Sequence, residues 1–144
     1  MSMVTDKKET FAFWLKEADD WFSKYIRLSY ADEEGKVTCS CGCGERKRWQ
    51  DMQASHYINR DNMATRYIFE NVVPATRECN YYDEQHQHKI AQFINMNFKH
   101  FEGAYTDFLD KHGRSTMKYM RFELEALAQE FKEKFETLKK EKRI

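Results

Sequence analysis

Three cysteines separated by single residues, Cys39, Cys41 and Cys43 in TCSCGCGERKRW, and a fourth at Cys79 constrain this chain more than any other feature. They bracket a stretch, residues 39–80, that has no helical period, contains the chain's one proline and has no long apolar run. Short strands and loops of this kind bury too little apolar surface to hold themselves together, and a bound metal is the usual substitute. Thiolates bind zinc tetrahedrally, commonly as two close pairs from separate turns, and glycine between ligands lets the backbone fold around the ion. Here the first knuckle is rich and the second poor, because Thr76 stands where a partner for Cys79 would complete a pair. The four cysteines make one zinc site if Cys41 joins Cys39, Cys43 and Cys79. The other readings are three thiolates completed by a histidine or water, and no metal.

A chain of 144 residues is expected to form a single domain over 1–144, and aromatics at 15% argue that it folds. No apolar run approaches the roughly 20 residues needed to cross a bilayer, so no membrane is implied. The start, MSMVTDKKETFAFW, lacks the apolar core of a signal peptide. The expected compartment is cytoplasmic, where cysteines serve as ligands or free thiols rather than disulfides. Acidic and basic residues balance at 24 each, so the total charge says nothing about a nucleic-acid partner, and only a local basic face could.

Trp14, Ala18, Trp21, Phe22, Tyr25 and Leu28 recur at helical spacing and predict an N-terminal helix over 10–29. ADEEGKVT breaks it at Gly35, and Val37 and Thr38 begin a short strand. Helical spacing returns from Asp83, a capping residue, through Ile90, Phe93, Ile94, Asn97, Phe98 and Phe101, with Gly103 as its end. The knuckle and the elements after it thus span 36–102. A long C-terminal helix is expected over 114–142, with Met117, Met120, Leu124, Leu127 and Phe131 as its stripe. The stripe weakens at Lys134, and Phe135 and Leu138 shift it sideways. It reads as a helix packed on its own domain, with a dimer-forming coil as the alternative.

Between these helices lies an ordered set of polar residues. Trp49 is followed by a short strand ending in Ala54-Ser55-His56, a polar loop with Arg60, Thr65 and Arg66, and a second strand over Glu70-Asn71-Val72-Val73-Pro74. Cys79-Asn80 then leads into a helix carrying His86 and His88. Taken singly, each has a bland reading: His56 a satisfied histidine, Asn71 a turn residue, Arg66 a partner for Glu70. As a set beside a knuckle they suit phosphodiester hydrolysis. That reaction needs a neutral imidazole to take a proton from water, and positive charge around the phosphate. Arg46, Lys47, Arg48, Arg60, Arg66 and Arg77, with Lys89, supply that charge if they share a face.

This order resembles the HNH nuclease motif, or ββα-metal fold, and more closely the NinG (Rap) family of phage recombination endonucleases. The resemblance runs over residues 14 to 140. It rests on WFSKYIRLSYAD at 21–32, VTC…CG ending at Gly44, W..M.ASHYINR at 49–60, ATR at 64–66, ENVVP at 70–74 and CN at 79–80. The implied fold is α+β and mostly helical: a small zinc-stabilised hairpin-helix core flanked by an N-terminal helix and a long C-terminal helix. By resemblance, His56 falls on the general base and Asn71 on the asparagine that ties the hairpin loop and so orients His56. Asn80 and His86 fall near the helix position that holds a catalytic divalent ion, Mg²⁺ or Mn²⁺, and Cys39, Cys43 and Cys79 fall on the structural knuckle. Two positions depart from the pattern. Thr76 replaces a knuckle cysteine, with Cys41 as an additional thiol. Ser55 stands where HNH enzymes at large place an aspartate ligand, although a small residue is common there in the NinG group. Asp51, Asn59 and His88 remain open as that ligand.

The function the resemblance implies is a metal-dependent, structure-specific DNA endonuclease. It would cut branched recombination intermediates, Holliday junctions and D-loops, in a bacterial cell carrying the phage or prophage. Two coordinated cuts would suit a homodimer. The alternatives are a zinc-stabilised DNA-binding module that has lost catalysis, and a general HNH nuclease acting on double-stranded DNA.

Overall fold

The computed structural model describes residues 10–100 and 103–144. It is a mixed α+β structure of five α-helices and two small antiparallel hairpins among those residues. The order is α1 (Phe11–Ser29), β1 (Lys36–Thr38), β2 (Arg46–Arg48), β3 (Gln53–His56), β4 (Val72–Ala75), α2 (Arg77–Tyr82), α3 (His86–Asn97), α4 (Tyr105–His112) and α5 (Arg121–Lys142). Short 3-10 turns precede β3 and β4.

Thr10 starts α1 as its N-cap, its hydroxyl accepting from the Phe13 N–H. The helix then buries Ala18, Phe22 and Ile26 along one face, with Trp21 and Tyr25 beside them. That face meets α5, which packs along the length of α1. Helix α5 begins at Arg121, later than the expected start at 114, with the Glu123 carboxylate accepting from the Met120 N–H. Met117 and Met120 therefore precede the helix and are exposed, instead of forming its stripe. The buried stripe is Leu124, Ala128, Phe131 and Phe135. It does not drift sideways at Phe135: Ala128, too small to register as a core residue in the sequence, keeps the period, and Phe135 lies against Trp21 and Trp49 at ring-centroid distances of 5.7 and 5.4 Å. At its far end Lys142 donates to the Ala31 carbonyl, just past the end of α1.

Hairpin β1–β2 pairs Val37 with Lys47 and holds the three-cysteine loop between its strands. Strand β2, Arg-Lys-Arg, has no apolar residue to announce it. Hairpin β3–β4 pairs His56 with Val72 and Gln53 with Ala75. All of β4 is buried, because Val72 joins the α1–α5 core while Val73 joins a second core of Ile90, Ile94 and Leu109. The expected strand over 70–74 is thus shifted: Phe69–Asn71 form a 3-10 turn and the strand runs to Ala75.

The helix expected from Asp83 starts later, at His86, and a separate short helix precedes it. Helix α2 occupies 77–82, and α3 starts at His86 after a turn in which Asp83 accepts from the Gln85 N–H and pairs with Lys89. Phe98 lies just past the end of α3, and Phe101 is outside the described residues. Helix α4 was not legible as a helix. It is short, and a tertiary contact fixes it: the Asn95 amide donates to the Thr106 hydroxyl, and the Thr106 N–H donates back to Asn95, both at 3.0 Å.

Because Phe135 bridges the two tryptophans, Phe135→Ala should destabilise the protein by about 3–5 kcal/mol, the usual cost of deleting a buried phenylalanine. Urea unfolding followed by tryptophan fluorescence measures it directly. A change no larger than that of an exposed residue would mean that the α1–α5 seam is not built as described.

Candidate functional site

The four cysteines converge. Their sulfurs all lie within 4.8 Å of one another. Cys39 and Cys41 are buried, Cys79 half-buried and Cys43 exposed. The Cys41 sulfur lies 3.3 Å from that of Cys39 and 3.0 Å from that of Cys79. Gly42 and Gly44, with φ of 82° and 88°, give the loop the left-handed turns that bring Cys41 and Cys43 back toward Cys39. Thr76 has a different role from the missing cysteine. Its hydroxyl caps α2 by accepting from the Cys79 N–H, and its own N–H donates to the Cys39 sulfur at 3.3 Å. A second backbone donor, the Glu45 N–H, reaches Cys43 at 3.5 Å. Burial pushes the Cys41 thiol well above its ordinary pKa, and a bound cation would draw its proton off. Four sulfurs mutually within 4.8 Å can close around a tetrahedral metal, whose S–S edges are about 3.8 Å for a Zn–S bond of about 2.3 Å, the two short contacts opening to that length. The cluster can hold a metal such as zinc.

Beside it an open cleft of about 720 Å³ is lined by residues of β3 and its following loop, with Asn80, Tyr81, His86 and Gln87 on the opposite side. His56 ends β3. Its Nε2 lies 3.2 Å from the Arg66 carbonyl, and its ring packs near Phe22. A carbonyl only accepts, so Nε2 carries the proton and Nδ1 is the basic nitrogen. Burial pushes the His56 pKa down to about 4, against a partial upward pull from the Arg66 carbonyl. The ring is neutral throughout the physiological range.

Asn71 is fully buried. Its Oδ1 accepts from the Ile58 N–H at 2.8 Å, and its Nδ2 donates to the Ile58 and Thr65 carbonyls at 3.1 Å each. One amide therefore clamps both ends of the loop after β3. Thr65 adjoins Arg66, whose carbonyl meets His56, so the clamp reaches the imidazole through a single peptide unit.

Ser55, Asn80, His86 and Gln53 form a second group. Asn80 Nδ2–H donates to Gln53 Oε1 at 2.8 Å, which turns its Oδ1 to the Ser55 hydroxyl at 2.9 Å. The serine proton is thereby committed, and His86 Nε2–H donates to the Ser55 oxygen at 2.8 Å. A serine whose proton points away from the imidazole is not a nucleophile with its base. The His86 Nδ1 is buried without a partner, and burial lowers the pKa of this ring also. Asn80 and His86 thus meet, around Ser55, but all three are neutral donors. Among the described residues, the cysteine cluster is the one place where three or more histidines, cysteines or carboxylates gather closely enough for a metal. Hard dications favour carboxylate oxygen; Ser55, Asn80 and His86 supply none, and the carboxylate on the cleft is that of Asp61, on the loop after β3. Of the three open ligands, Asn59 lines the cleft, Asp51 is paired with Arg48, and His88 is exposed on α3.

The basic residues divide. Arg66 is not on an outer face and does not pair with Glu70. It is buried, and its guanidinium grips Asp19 of α1 through two bonds of 2.9 and 2.5 Å. Interior burial of a guanidinium requires such a partner, so Arg66 is withdrawn from the expected DNA-binding set. Arg46 pairs with Asp32 and Glu34, Lys47 with Glu78, and Arg48 with Asp51, all at the surface, where such pairs are weak. Arg60 lies on the cleft, and Arg77 stands over the ring of Tyr81, which lines it. Asp19, Gln53 and the capping role of Thr76 were not legible in the sequence. Asp19 and Arg66 are 47 residues apart, and no local spacing joins them. No helix among the described residues is long and apolar enough to cross a membrane. No protein-family model, curated protein or solved structure matches this chain.

Cys79→Ser should release bound metal and lower the melting temperature by roughly 10 °C, because a closed thiolate site contributes folding free energy directly. Elemental analysis of the purified protein, paired with a thermal melt, tests this; a metal-free wild type would remove the site. For His56 the folded pKa lies below the unfolded one, so its contribution to stability is present above about 6.5 and is lost as pH falls through about 4. Stability measured by urea titration should fall across that window, and His56→Gln should flatten the fall. An equal slope in both proteins would contradict the half-buried, neutral ring.

Proposed function

We propose that this protein is a DNA endonuclease of HNH type, similar to the NinG (Rap) enzymes, that hydrolyses phosphodiesters in branched recombination intermediates. The observation that carries the reading is His56: a neutral imidazole at a strand end, with Nε2 bound to a carbonyl and the loop around it clamped by a fully buried Asn71. The hairpin is followed directly by a helix whose Asn80 reaches back to β3, the order an HNH core requires. The zinc-type cluster, as the structural knuckle, would hold that helix in place.

In this reading His56 takes a proton from a water through Nδ1. The water oxygen attacks phosphorus, the bond to the 3′ oxygen breaks, and the departing 3′ oxygen takes a proton from solvent. Arg60, on the same cleft, offsets the negative charge that builds on the phosphate. No step is assigned to a divalent ion, since Ser55, Asn80 and His86 do not form a site for one. The lack of a carboxylate among those three residues favours a second reading, a DNA-binding module without catalysis. Preference for junctions over duplex rests on the resemblance alone.

His56→Ala should reduce cutting by roughly 10²–10⁴-fold, the usual worth of a placed general base, and leave DNA affinity unchanged. Arg60→Ala with Arg77→Ala should weaken binding and reduce its salt dependence by up to one counterion per lost contact. Cleavage and binding gels on a four-way junction, duplex and single strand, each with and without Mg²⁺ or Mn²⁺, measure both. Junction binding without cutting under every condition would establish the binding module instead.

A further inference from the structure

We propose that Asp19 of α1 is a positioning residue for His56: by gripping the Arg66 side chain, it holds the Arg66 carbonyl against Nε2 and so fixes the tautomer that leaves Nδ1 bare. Its role in cleavage rests on the nuclease reading; the tautomer does not.

The connections are short. Asp19 accepts from Nε and Nη2 of Arg66, at 2.9 and 2.5 Å, and from the Tyr67 hydroxyl at 2.8 Å, and it also lies 3.9 Å from the Arg60 guanidinium. Arg66 also donates to the Arg60 carbonyl at 2.6 Å. Its side chain is thus held at three points, two on α1 and one on the loop, and little freedom remains to the backbone unit that carries the carbonyl. That carbonyl lies 3.2 Å from His56 Nε2. The preceding peptide unit is fixed independently, its carbonyl accepting from Asn71. Asn71 fixes the loop at Thr65, whose carbonyl also accepts from the Ile68 N–H at 3.2 Å to close a turn around the next peptide; the Asp19–Arg66 fork anchors the residue that carries the next carbonyl from the side of α1. An imidazole has two neutral tautomers of similar energy, and a fixed acceptor on one nitrogen selects between them. The Arg66 charge therefore works on the interior of the molecule. Helix α1, outside the hairpin-helix unit, sets which nitrogen carries the proton. Burial of the fork, with Arg66 at 7% exposure, shields it from competing water.

The experiment is long-range ¹H–¹⁵N correlation NMR of the histidine rings at neutral pH, on wild type and Asp19→Asn, which keeps the shape of the side chain and removes its charge. Wild-type His56 should show the proton on Nε2. Asp19→Asn should move its signals toward a mixture of tautomers, and cutting should lose roughly 10–10²-fold in kcat with KM nearly unchanged, the scale of a misplaced group. If Asp19→Asn does not fold, Arg66→Lys, which keeps the charge and loses the fork, should give the same NMR change. Asp19→Glu should restore the wild-type spectrum in part. A wild-type proton on Nδ1, or a folded Asp19→Asn or Arg66→Lys with an unchanged His56 spectrum, would overturn the proposal. A wild type with the Nε2–H tautomer that never cuts DNA would sink the nuclease reading and leave this assignment standing.

Discussion

The four cysteine sulfurs are the constraint on which the local architecture depends. They join the loop of the first hairpin to the first turn of α2, beside an apolar cluster that includes Leu28, Val37, Trp49, Ala75 and Phe135. Cys79 is the point of attachment, and Asn80 follows it directly. The geometry of the sulfur cluster therefore sets where Asn80 enters the cleft and how it meets Ser55 and Gln53. Thr76 serves the same junction twice, as cap to the helix and as N–H donor to Cys39. A metal in this position would act as a structural pin, separate from the cleft chemistry, because its ligands are all thiols and none of them lines the cleft.

The cleft is held by buried polar groups rather than by apolar packing. Asn71 spends its whole amide on backbone atoms of the loop, and Asp19 and Arg66 neutralise each other in the interior. Such groups tolerate little displacement, since an unpaired buried amide or guanidinium is costly. They give the imidazole a defined surrounding in a segment that otherwise has almost no regular structure. The apolar cores on either side of β4 do the complementary work: one fixes the hairpin against α1 and α5, the other against α3 and α4.

Charge is distributed in the same divided way. The balanced total hides surface pairs that a phosphate could exchange for itself and one interior pair that it could not. Arg60 and Arg77 sit at or beside the cleft, whereas Arg46, Lys47 and Arg48 belong to the first hairpin and its acidic neighbours. Any affinity for nucleic acid must come from this local arrangement, because the net charge is zero.

The sequence by itself determined the features whose signal is local. The cysteine spacing foretold one cluster, and the apolar period of α1 foretold its buried face. The run from Ser55 through Asn71 to Asn80 placed the polar residues in the right order along a hairpin and helix. Tertiary structure decided what depends on distant partners. Strand β2 exists because a basic tripeptide pairs with β1, and α4 because Thr106 finds Asn95. Phe135 is core because Ala128 leaves room for close approach to α1. Arg66 is interior because Asp19, 47 residues earlier, can neutralise it there; a sequence shows that a side chain is charged but not whether a counter-charge waits inside the fold. The pKa of His56 is of the same kind: its chemistry is written in one letter, and its value is set by the burial that α1 and the clamped loop impose.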